Sequence, residues 1–210
     1  MIDPGYDGTP IKALFIDLGG VFLTNGWDRN ARKEAAEKFG LNLDEMNERH
    51  RVIFDSYEAG RTTMKNYLDL LVFYQERPFT QQEFIDFMYQ TSKPFPDMIE
   101  MVKNIKRKYN LQVVAVNNEG RELNEYRIHQ FKLKEFIDIF ASSSFIKVRK
   151  PDKEMYELAL DLAQVTPKEV VYLDDRQVFI EAAQVLGING ICHKDIATTR
   201  EGLKRYGLTE

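Results

Sequence analysis

Carboxylates follow two apolar runs of the kind that forms buried strands. Asp17 follows the run ALFI at positions 13–16, while Asp174 and Asp175 follow VVYL at positions 170–173. Such short runs are typical of parallel strands, whose carboxyl ends carry the ligand sites of open α/β sheets. Carboxylates that converge from two strand ends offer the oxygen ligands that a hard divalent cation prefers. The sequence therefore predicts a metal site at one edge of a sheet.

The rest of the chain supplies elements that would position these side chains. Strands are predicted at 11–16, 111–116, 136–141, 170–173 and 189–192. Helices are predicted at 96–108, 118–131, 151–163, 176–186 and 196–206. Strands that alternate with helices indicate an α/β fold, a doubly wound parallel sheet with helices on both faces. We expect Asn118 to cap the second of these helices and Pro151 to begin the third.

The stretch from Trp27 to Ser92 interrupts this alternation because it contains no convincing strand. Amphipathic helices are predicted at 29–39, 44–57, 63–74 and 81–89. We interpret 27–92 as an inserted four-helix cap over a Rossmann-like core formed by 1–26 and 93–210. The alternative is a group of helices that only covers apolar surface. The dipeptide Asn25-Gly26, which lies between apolar residues, predicts a small hairpin between the two parts.

Composition limits the class of protein. The chain has 210 residues and a net charge of −4, which argues against a general nucleic-acid-binding surface. The single cysteine, Cys192, excludes an intrachain disulfide. No apolar run approaches the ~20 residues of a membrane span and no secretory signal is visible. We therefore expect a cytoplasmic protein without a membrane partner, either a monomer or a homodimer.

Four segments together resemble the motifs of the haloacid dehalogenase-like hydrolase superfamily. They are FIDLGGV at 15–21, VVAVNN at 113–118, RKPD at 149–152 and VYLDD at 171–175. Each segment alone is weak evidence for the resemblance, since a lone aspartate after a strand is usually a turn or cap residue. Their order, and the helical insertion between the first two, make the combination specific. The resemblance covers the chain from Ile11 to about Cys192.

The resemblance implies phosphoryl-transfer chemistry on a bound metal. Asp17 would be the nucleophile that forms an aspartyl-phosphate intermediate. Lys150 would neutralise negative charge on the phosphoryl oxygens and on the surrounding carboxylates. Mg²⁺ would be held by Asp17, by the backbone carbonyl of Gly19, by Asp175 and, less directly, by Asp174.

The same resemblance implies contacts to the substrate. Gly20, Asn117, Asn118 and the amides at the start of the following helix would hold phosphoryl oxygens, aided by the helix dipole. Arg61, in a loop of the predicted cap, would reach a phosphate or a sugar hydroxyl, although a solvated loop arginine is an equal alternative. Weaker candidates are Arg121 and Arg149. A cap over the site excludes bulky molecules, so we expect a small phosphorylated metabolite such as a sugar phosphate.

Gly19 departs from the family pattern, which places there an aspartate that acts as general acid and base. That contribution is worth about 10²–10⁴-fold in rate. The substrate could have a good leaving group, as in acyl or anomeric phosphates, or the cap could supply the proton, with His50 as candidate. A third alternative is a catalytically weak or inactive phosphometabolite-binding protein.

Two further points follow from the pattern. Asn117 stands where the family usually has serine or threonine, and its amide can still donate to a phosphoryl oxygen. A metal-independent 2-haloacid dehalogenase is a remaining alternative, which the pair Asp174 and Asp175 disfavours.

Overall fold

The computed structural model describes residues 6–210 and confirms an α/β fold built on a parallel sheet. Residues 1–5, the start of the predicted core segment 1–26, lie outside the described residues. Within the described range the strands are β1 (Ala13–Ile16), β2 (Gln112–Asn117), β3 (Ile139–Ser142), β4 (Val170–Asp174) and β5 (Asn189–Cys192). The helices are α1 (Arg29–Phe39), α2 (Leu43–Glu58), α3 (Met64–Leu71), α4 (Gln81–Gln90), α5 (Pro96–Tyr109), α6 (Arg121–Gln130), α7 (Ser143–Ile146), α8 (Lys153–Ala163), α9 (Gln177–Val185) and α10 (Ile196–Lys204).

The strand order is β3-β2-β1-β4-β5, and neighbouring strands pair in parallel. β1 is central, with β2 on one side and β4 on the other. The chain moves outward from β1 through β2 to β3 and then returns to the opposite side of β1. This reversal lies between β1 and β4, and it is the topological switch point at which such sheets bind ligands.

Helices cover both faces of the sheet, which explains why every residue of β1 and β4 is buried. Alternate side chains of β1 point to opposite faces. Leu14 and Ile16 pack in one apolar cluster with α5 and α10, whereas Ala13 and Phe15 pack in another with α8 and α9. The sheet is thus fixed from both sides, and its carboxyl edge presents the residues that follow the strands.

Helices α1 to α4 lie between β1 and α5 and share a separate apolar cluster that includes Trp27, Tyr67 and Phe84. Each begins at a residue whose side chain accepts a backbone hydrogen bond; these residues are Asp28, Asn42, Thr63 and Thr80. The cluster also contains Leu123 of α6, so the insertion packs on the segment that follows β2. The exact division into core and cap stays a prediction.

The predicted starts of two helices, at Asn118 and at Pro151, were wrong. Helix α6 begins at Arg121 with Gly120 at its N-cap, because the side chain of Asn118 is engaged elsewhere. Helix α8 begins at Lys153, after a turn that contains Pro151.

The predicted hairpin at Asn25-Gly26 is not seen among residues 6–210. Leu23 instead makes single bridges to Gly19 and Pro94. The physical reason is that α1 begins at Arg29, which leaves no room for a second strand of a hairpin. No helix in the described part of the chain combines the length and apolar character needed to cross a membrane.

Candidate active site

The carboxyl ends of β1 and β4 bring three carboxylates together. Ligand oxygens of Asp17, Asp174 and Asp175 all lie within 4.8 Å of one another. Parallel pairing causes this, since Ile16 is in register with Leu173 and the amide of Asp17 donates to the Leu173 carbonyl at 2.9 Å. The three carboxylates therefore form one site at the switch point of the sheet.

Lys150 is the buried cation of this site. Its Nζ lies 2.6 Å from Asp174 Oδ2 and 3.2 Å from Asp17 Oδ1. Asp174 also accepts hydrogen bonds from the hydroxyl of Tyr172 and, at 2.8 Å, from the amide of Arg176. Both oxygens of Asp174 are thus occupied, and they hold Lys150 and the start of α9 in place. Burial lowers the pKa of Lys150, but Asp17 and Asp174 outweigh it and raise the pKa above its usual value.

Asp175 is less fully bonded than Asp174. Its Oδ2 accepts a hydrogen bond from Asn25 Nδ2 at 3.2 Å. Its Oδ1 is buried and has no hydrogen-bond partner among the described residues. A buried acceptor without a partner costs about 1–3 kcal/mol. This oxygen is therefore available to a ligand that the protein itself does not supply.

This donor set fits a divalent cation. Three carboxylates around one ammonium leave excess negative charge. Burial raises the pKa of Asp17 to about 7, with Asp174 and Asp175 adding to the rise and Lys150 opposing it. The carbonyl of Gly19 accepts no backbone hydrogen bond in the described part of the chain. A cation that favours oxygen ligands would offset the repulsion and bond the free oxygen of Asp175.

Gly20 lies against Asp175 and outside the cavity described below. Its φ is +74°, and a Cβ there would lie 2.3 Å from Asp175 Oδ2. We expect Gly20→Ala to displace Asp175 and to lower the free energy of unfolding by about 1–3 kcal/mol. Thermal unfolding measures this loss. Gly207→Ala is the matched control, because Gly207 has φ +75° and no neighbour within 4 Å. Equal losses of stability in both variants would show that the contact with Asp175 contributes nothing to the effect of Gly20→Ala.

Asn117 ends β2 and is almost completely buried. Its Oδ1 accepts from Ser142 Oγ at 2.7 Å, and its Nδ2 donates to Asn124 Oδ1 at 3.0 Å. An amide nitrogen carries two hydrogens, so one N–H of Asn117 remains for the cavity that this residue lines. The side chain is therefore held rigidly, and its second N–H group can donate to a ligand in the cavity.

Asn118 pairs with the backbone of Lys150. Its Oδ1 accepts from the Lys150 amide at 2.9 Å, and its Nδ2 donates to the Lys150 carbonyl at 3.0 Å. Its side chain thus positions Lys150, and its backbone amide donates no hydrogen bond within residues 6–210. The amides of Glu119 and Gly120 are also engaged, with Ser143 Oγ and Glu119 Oε1.

A cavity of about 470 Å³ lies at the carboxyl edge of the sheet beside Asp17. Asp17, Gly19 and Lys150 line it from the strand ends. The insertion contributes Trp27, Asp28, Arg29, Arg32, His50, Phe54 and Glu58. Substrate entering this cavity would therefore lie between the sheet edge and the inserted helices.

Arg61 does not line this cavity and is exposed. The loop that carries it packs against α7, where Lys147 donates to the Gly60 carbonyl. A Cβ on Gly60 would lie 2.3 Å from the Ser144 carbonyl oxygen. Since the loop turns toward α7, Arg61 is not placed to contact a substrate in the cavity. Arg121 also lies outside it.

Arg149 lines the cavity but is already paired with α2. Its guanidinium lies 2.6 Å from Asp55 Oδ1 and 2.7 Å from Glu58 Oε2. Sequence reasoning missed Arg29 and Arg32, which also line the cavity. The signal that could have found them is their i, i+3 spacing in the first turn of the first inserted helix.

His50 lines the cavity but is uncharged at neutral pH. Its Nδ1 lies 2.7 Å from the hydroxyl of Tyr67, and its ring stacks on Phe54. Burial, together with the charge of Arg32, lowers the pKa of His50 to about 3. A neutral imidazole is a poor proton donor, so this environment does not support His50 as the general acid.

Glu119 and Arg127 were also missed. Both line the cavity, and Glu119 Oε2 lies 3.0 Å from Arg127 Nη1. The available signal was a carboxylate directly after Asn117, which ends β2, and Asn118. The predicted helix at 118–131 placed Glu119 in a first helical turn and so gave it no role at the site. The helix α6 begins only at Arg121.

Two proteins of similar sequence are phosphatases. The chain is 26% identical over 186 residues to the phosphorylated carbohydrates phosphatase of Thermotoga maritima, covering 86% of this chain and 84% of that protein. It is 22% identical over 203 residues to a phosphatase of Mycobacterium tuberculosis, covering 93% of each.

A similar fold occurs in a solved structure, that of a HAD family enzyme from Bacteroides thetaiotaomicron in complex with magnesium and inorganic phosphate. The TM-score is 0.73 at 22% identity, covering 90% of this chain and 98% of that one. The family model for haloacid dehalogenase-like hydrolases matches residues 11–187. This protein therefore belongs to the haloacid dehalogenase-like hydrolases and is an enzyme of that family.

Proposed function

We propose that this hydrolase is a magnesium-dependent phosphatase of a small phosphorylated metabolite, such as a sugar phosphate. The observation that carries the proposal is the Asp17 carboxylate, which lies beside Lys150 and within 4.8 Å of Asp175 in a cavity of about 470 Å³. Cavities of this size hold small molecules. The phosphorylated carbohydrates named for the Thermotoga maritima relative support this substrate class.

Asp17 is positioned for nucleophilic attack on phosphorus. Its Oδ1 accepts from the amide of Leu18 at 2.8 Å and contacts Lys150, which leaves Oδ2 free to form the aspartyl-phosphate. Lys150 and the remaining N–H of Asn117 would stabilise charge on the phosphoryl oxygens. A bound Mg²⁺, held by Asp17, Asp175 and the Gly19 carbonyl, would supply further positive charge there.

The second half of the reaction restores the enzyme. A water molecule attacks phosphorus, the bond to Asp17 breaks and inorganic phosphate leaves. We infer that residues 27–92 act as the cap that excludes other water, since Trp27, His50 and Glu58 line the cavity. Cap closure would strengthen the electrostatic interactions of Lys150 with the substrate.

The test is phosphate release from a panel of sugar phosphates, acyl phosphates and nucleotides, with Mg²⁺ or a chelator present. We expect release that requires the metal and is fastest for small phosphorylated metabolites. Halide release from a 2-haloacid that persists with the chelator would instead show dehalogenase activity. Gly19 is the feature that favours a second candidate, binding without turnover. No release from any ester, with phosphate still raising the melting temperature, would support that candidate.

A further inference from the structure

The space in front of Gly19 faces a buried arginine. A Cβ built on Gly19 would lie 3.0 Å from Asn25 Oδ1 and 4.0 Å from Arg127 Nη1. A side chain at this position would therefore contact Asn25 and lie beside Arg127. Because the residue is glycine, the segment after β1 offers no group there that could exchange a proton with the substrate.

Glu119 reaches the same guanidinium from the end of β2. Its Oε2 lies 3.0 Å from Arg127 Nη1. A Cβ on Gly26 would lie 2.9 Å from both Glu119 Oε2 and Arg127 Nη2, so only a glycine lets the chain approach this pair so closely. Gly19, Glu119 and Arg127 line the same cavity as Asp17. A carboxylate thus lies close to the region that a side chain at residue 19 would enter.

The surrounding contacts hold Glu119 in one orientation. Arg127 is buried, donates from Nε to Ser92 Oγ at 2.9 Å and donates from Nη2 to the carbonyl of Thr24. Glu119 Oε1 accepts from the amide of Gly120 at 3.1 Å. Each carboxylate oxygen therefore has one fixed donor and a further lone pair for a ligand.

We propose that Glu119 is the second catalytic carboxylate of this enzyme, the group that exchanges protons with the leaving oxygen and with the attacking water. This inference rests on the proposed phosphatase function and assigns the task left open by Gly19. Glu119 follows β2, whereas Gly19 follows β1.

The electrostatic environment supports this role. Burial raises the pKa of Glu119 to about 7, while Arg127 opposes the rise and Glu58 of α2 adds to it. The other titratable groups coupled to Glu119 are Tyr57 of α2 and Tyr67 of α3, and burial raises the pKa of both phenols, so they are neutral at pH 7. A pKa raised toward neutrality suits a group that alternates between acid and base.

The proton balance of the cycle is simple. In the first step an oxygen of Asp17 bonds to phosphorus, the bond from phosphorus to the leaving oxygen breaks, and Glu119 gives its proton to that oxygen. In the second step Glu119 takes a proton from water as the water oxygen bonds to phosphorus and the bond to Asp17 breaks. One water is consumed, one alcohol and one phosphate are released, and Glu119 is protonated again.

The test compares wild type with Glu119→Gln across substrates whose leaving groups differ in acidity. The value of kcat/KM reports the steps up to leaving-group departure. We expect it to fall about 10²–10⁴-fold for a sugar phosphate, whose leaving oxygen needs a proton. It should change little for p-nitrophenyl phosphate, whose leaving group departs as a stable anion. A purely structural role would lower both values equally, and that result would overturn the proposal.

Two further variants make the test decisive. Glu122→Gln is the matched control, because Glu122 is a neighbouring carboxylate of α6 that does not line the cavity, and its Oε1 accepts from the Met64 amide at 2.8 Å. It should behave as wild type with both substrates. Should Glu119→Gln not fold, Glu119→Asp keeps an acid on a shorter side chain. We then expect a loss confined to the sugar phosphate, and a uniform loss would contradict the proposal. A wild type inactive on every ester would contradict the proposed phosphatase function itself.

Discussion

Replacing Asp17 with asparagine is expected to reduce phosphate release by a factor of about 10⁴ or more, as loss of a covalent nucleophile does in other hydrolases. An amide oxygen is a poor nucleophile, and the variant can form no aspartyl-phosphate. The substitution keeps the shape of the side chain and its hydrogen bond from the Leu18 amide. Because burial already disfavours the charge of Asp17, we expect no large drop in melting temperature.

The measurement is steady-state phosphate release combined with acid quenching of a reaction with phosphorus-labelled substrate. Wild type should retain covalently bound label and Asp17→Asn should not. Asp161→Asn is the control, because Asp161 is an exposed residue of α8 that does not line the cavity. Full metal-dependent turnover by Asp17→Asn would exclude the covalent mechanism.

Replacing Lys150 with methionine is expected to impair both activity and stability. The methionine fills a similar volume but leaves Asp17 and Asp174 without the ammonium that lies 3.2 and 2.6 Å from them. Removing one partner of a buried ion pair costs about 3–5 kcal/mol. Loss of a positive charge beside the phosphoryl oxygens should also lower kcat by at least about 10²–10³-fold.

The stability loss in Lys150→Met should depend on pH. Without the ammonium, the pKa of Asp17, already raised to about 7 by burial, rises further above its unfolded value of about 4. The folded state then binds more protons than the unfolded state, so its stability falls as the pH rises through this window. Urea unfolding should show a larger deficit at pH 8 than at pH 5. Lys153→Met, which removes an exposed lysine of α8, should show no such difference. A deficit independent of pH would argue against unpaired carboxylates as its cause.

The centre of the sheet could be predicted because β1, β4 and nearly all of β2 are buried, so their sequences contain continuous apolar runs. The convergence of Asp17 with Asp174 and Asp175 follows from parallel pairing alone, since strand ends meet at one edge. Lys150 is different, because nothing local distinguishes it from a solvated lysine before a proline. It could be connected to the site only through the resemblance of the four segments.

The remaining site residues depend on the directions of loops, which periodicity does not encode. Arg61 was a candidate substrate contact, with a solvated loop arginine as an equal alternative. Its loop packs against α7, where only a glycine fits because a Cβ on residue 60 would lie 2.3 Å from the Ser144 carbonyl oxygen. Asn118 was expected to cap a helix, yet its side-chain amide forms hydrogen bonds with the backbone of Lys150, which lies 32 positions away in sequence. Glu119 became visible only when the tertiary fold brought it to Arg127.

The hydrogen bond between Ser142 and Asn117 has a consequence for how the edge of the sheet assembles. These residues are register partners at the ends of β3 and β2, and both are buried. A one-residue shift of β3 in the direction that places Ala141 opposite Asn117 would leave a buried amide oxygen without its donor, at a cost of about 1–3 kcal/mol. A polar residue of the site thus also favours the observed alignment of β3 over this shifted one.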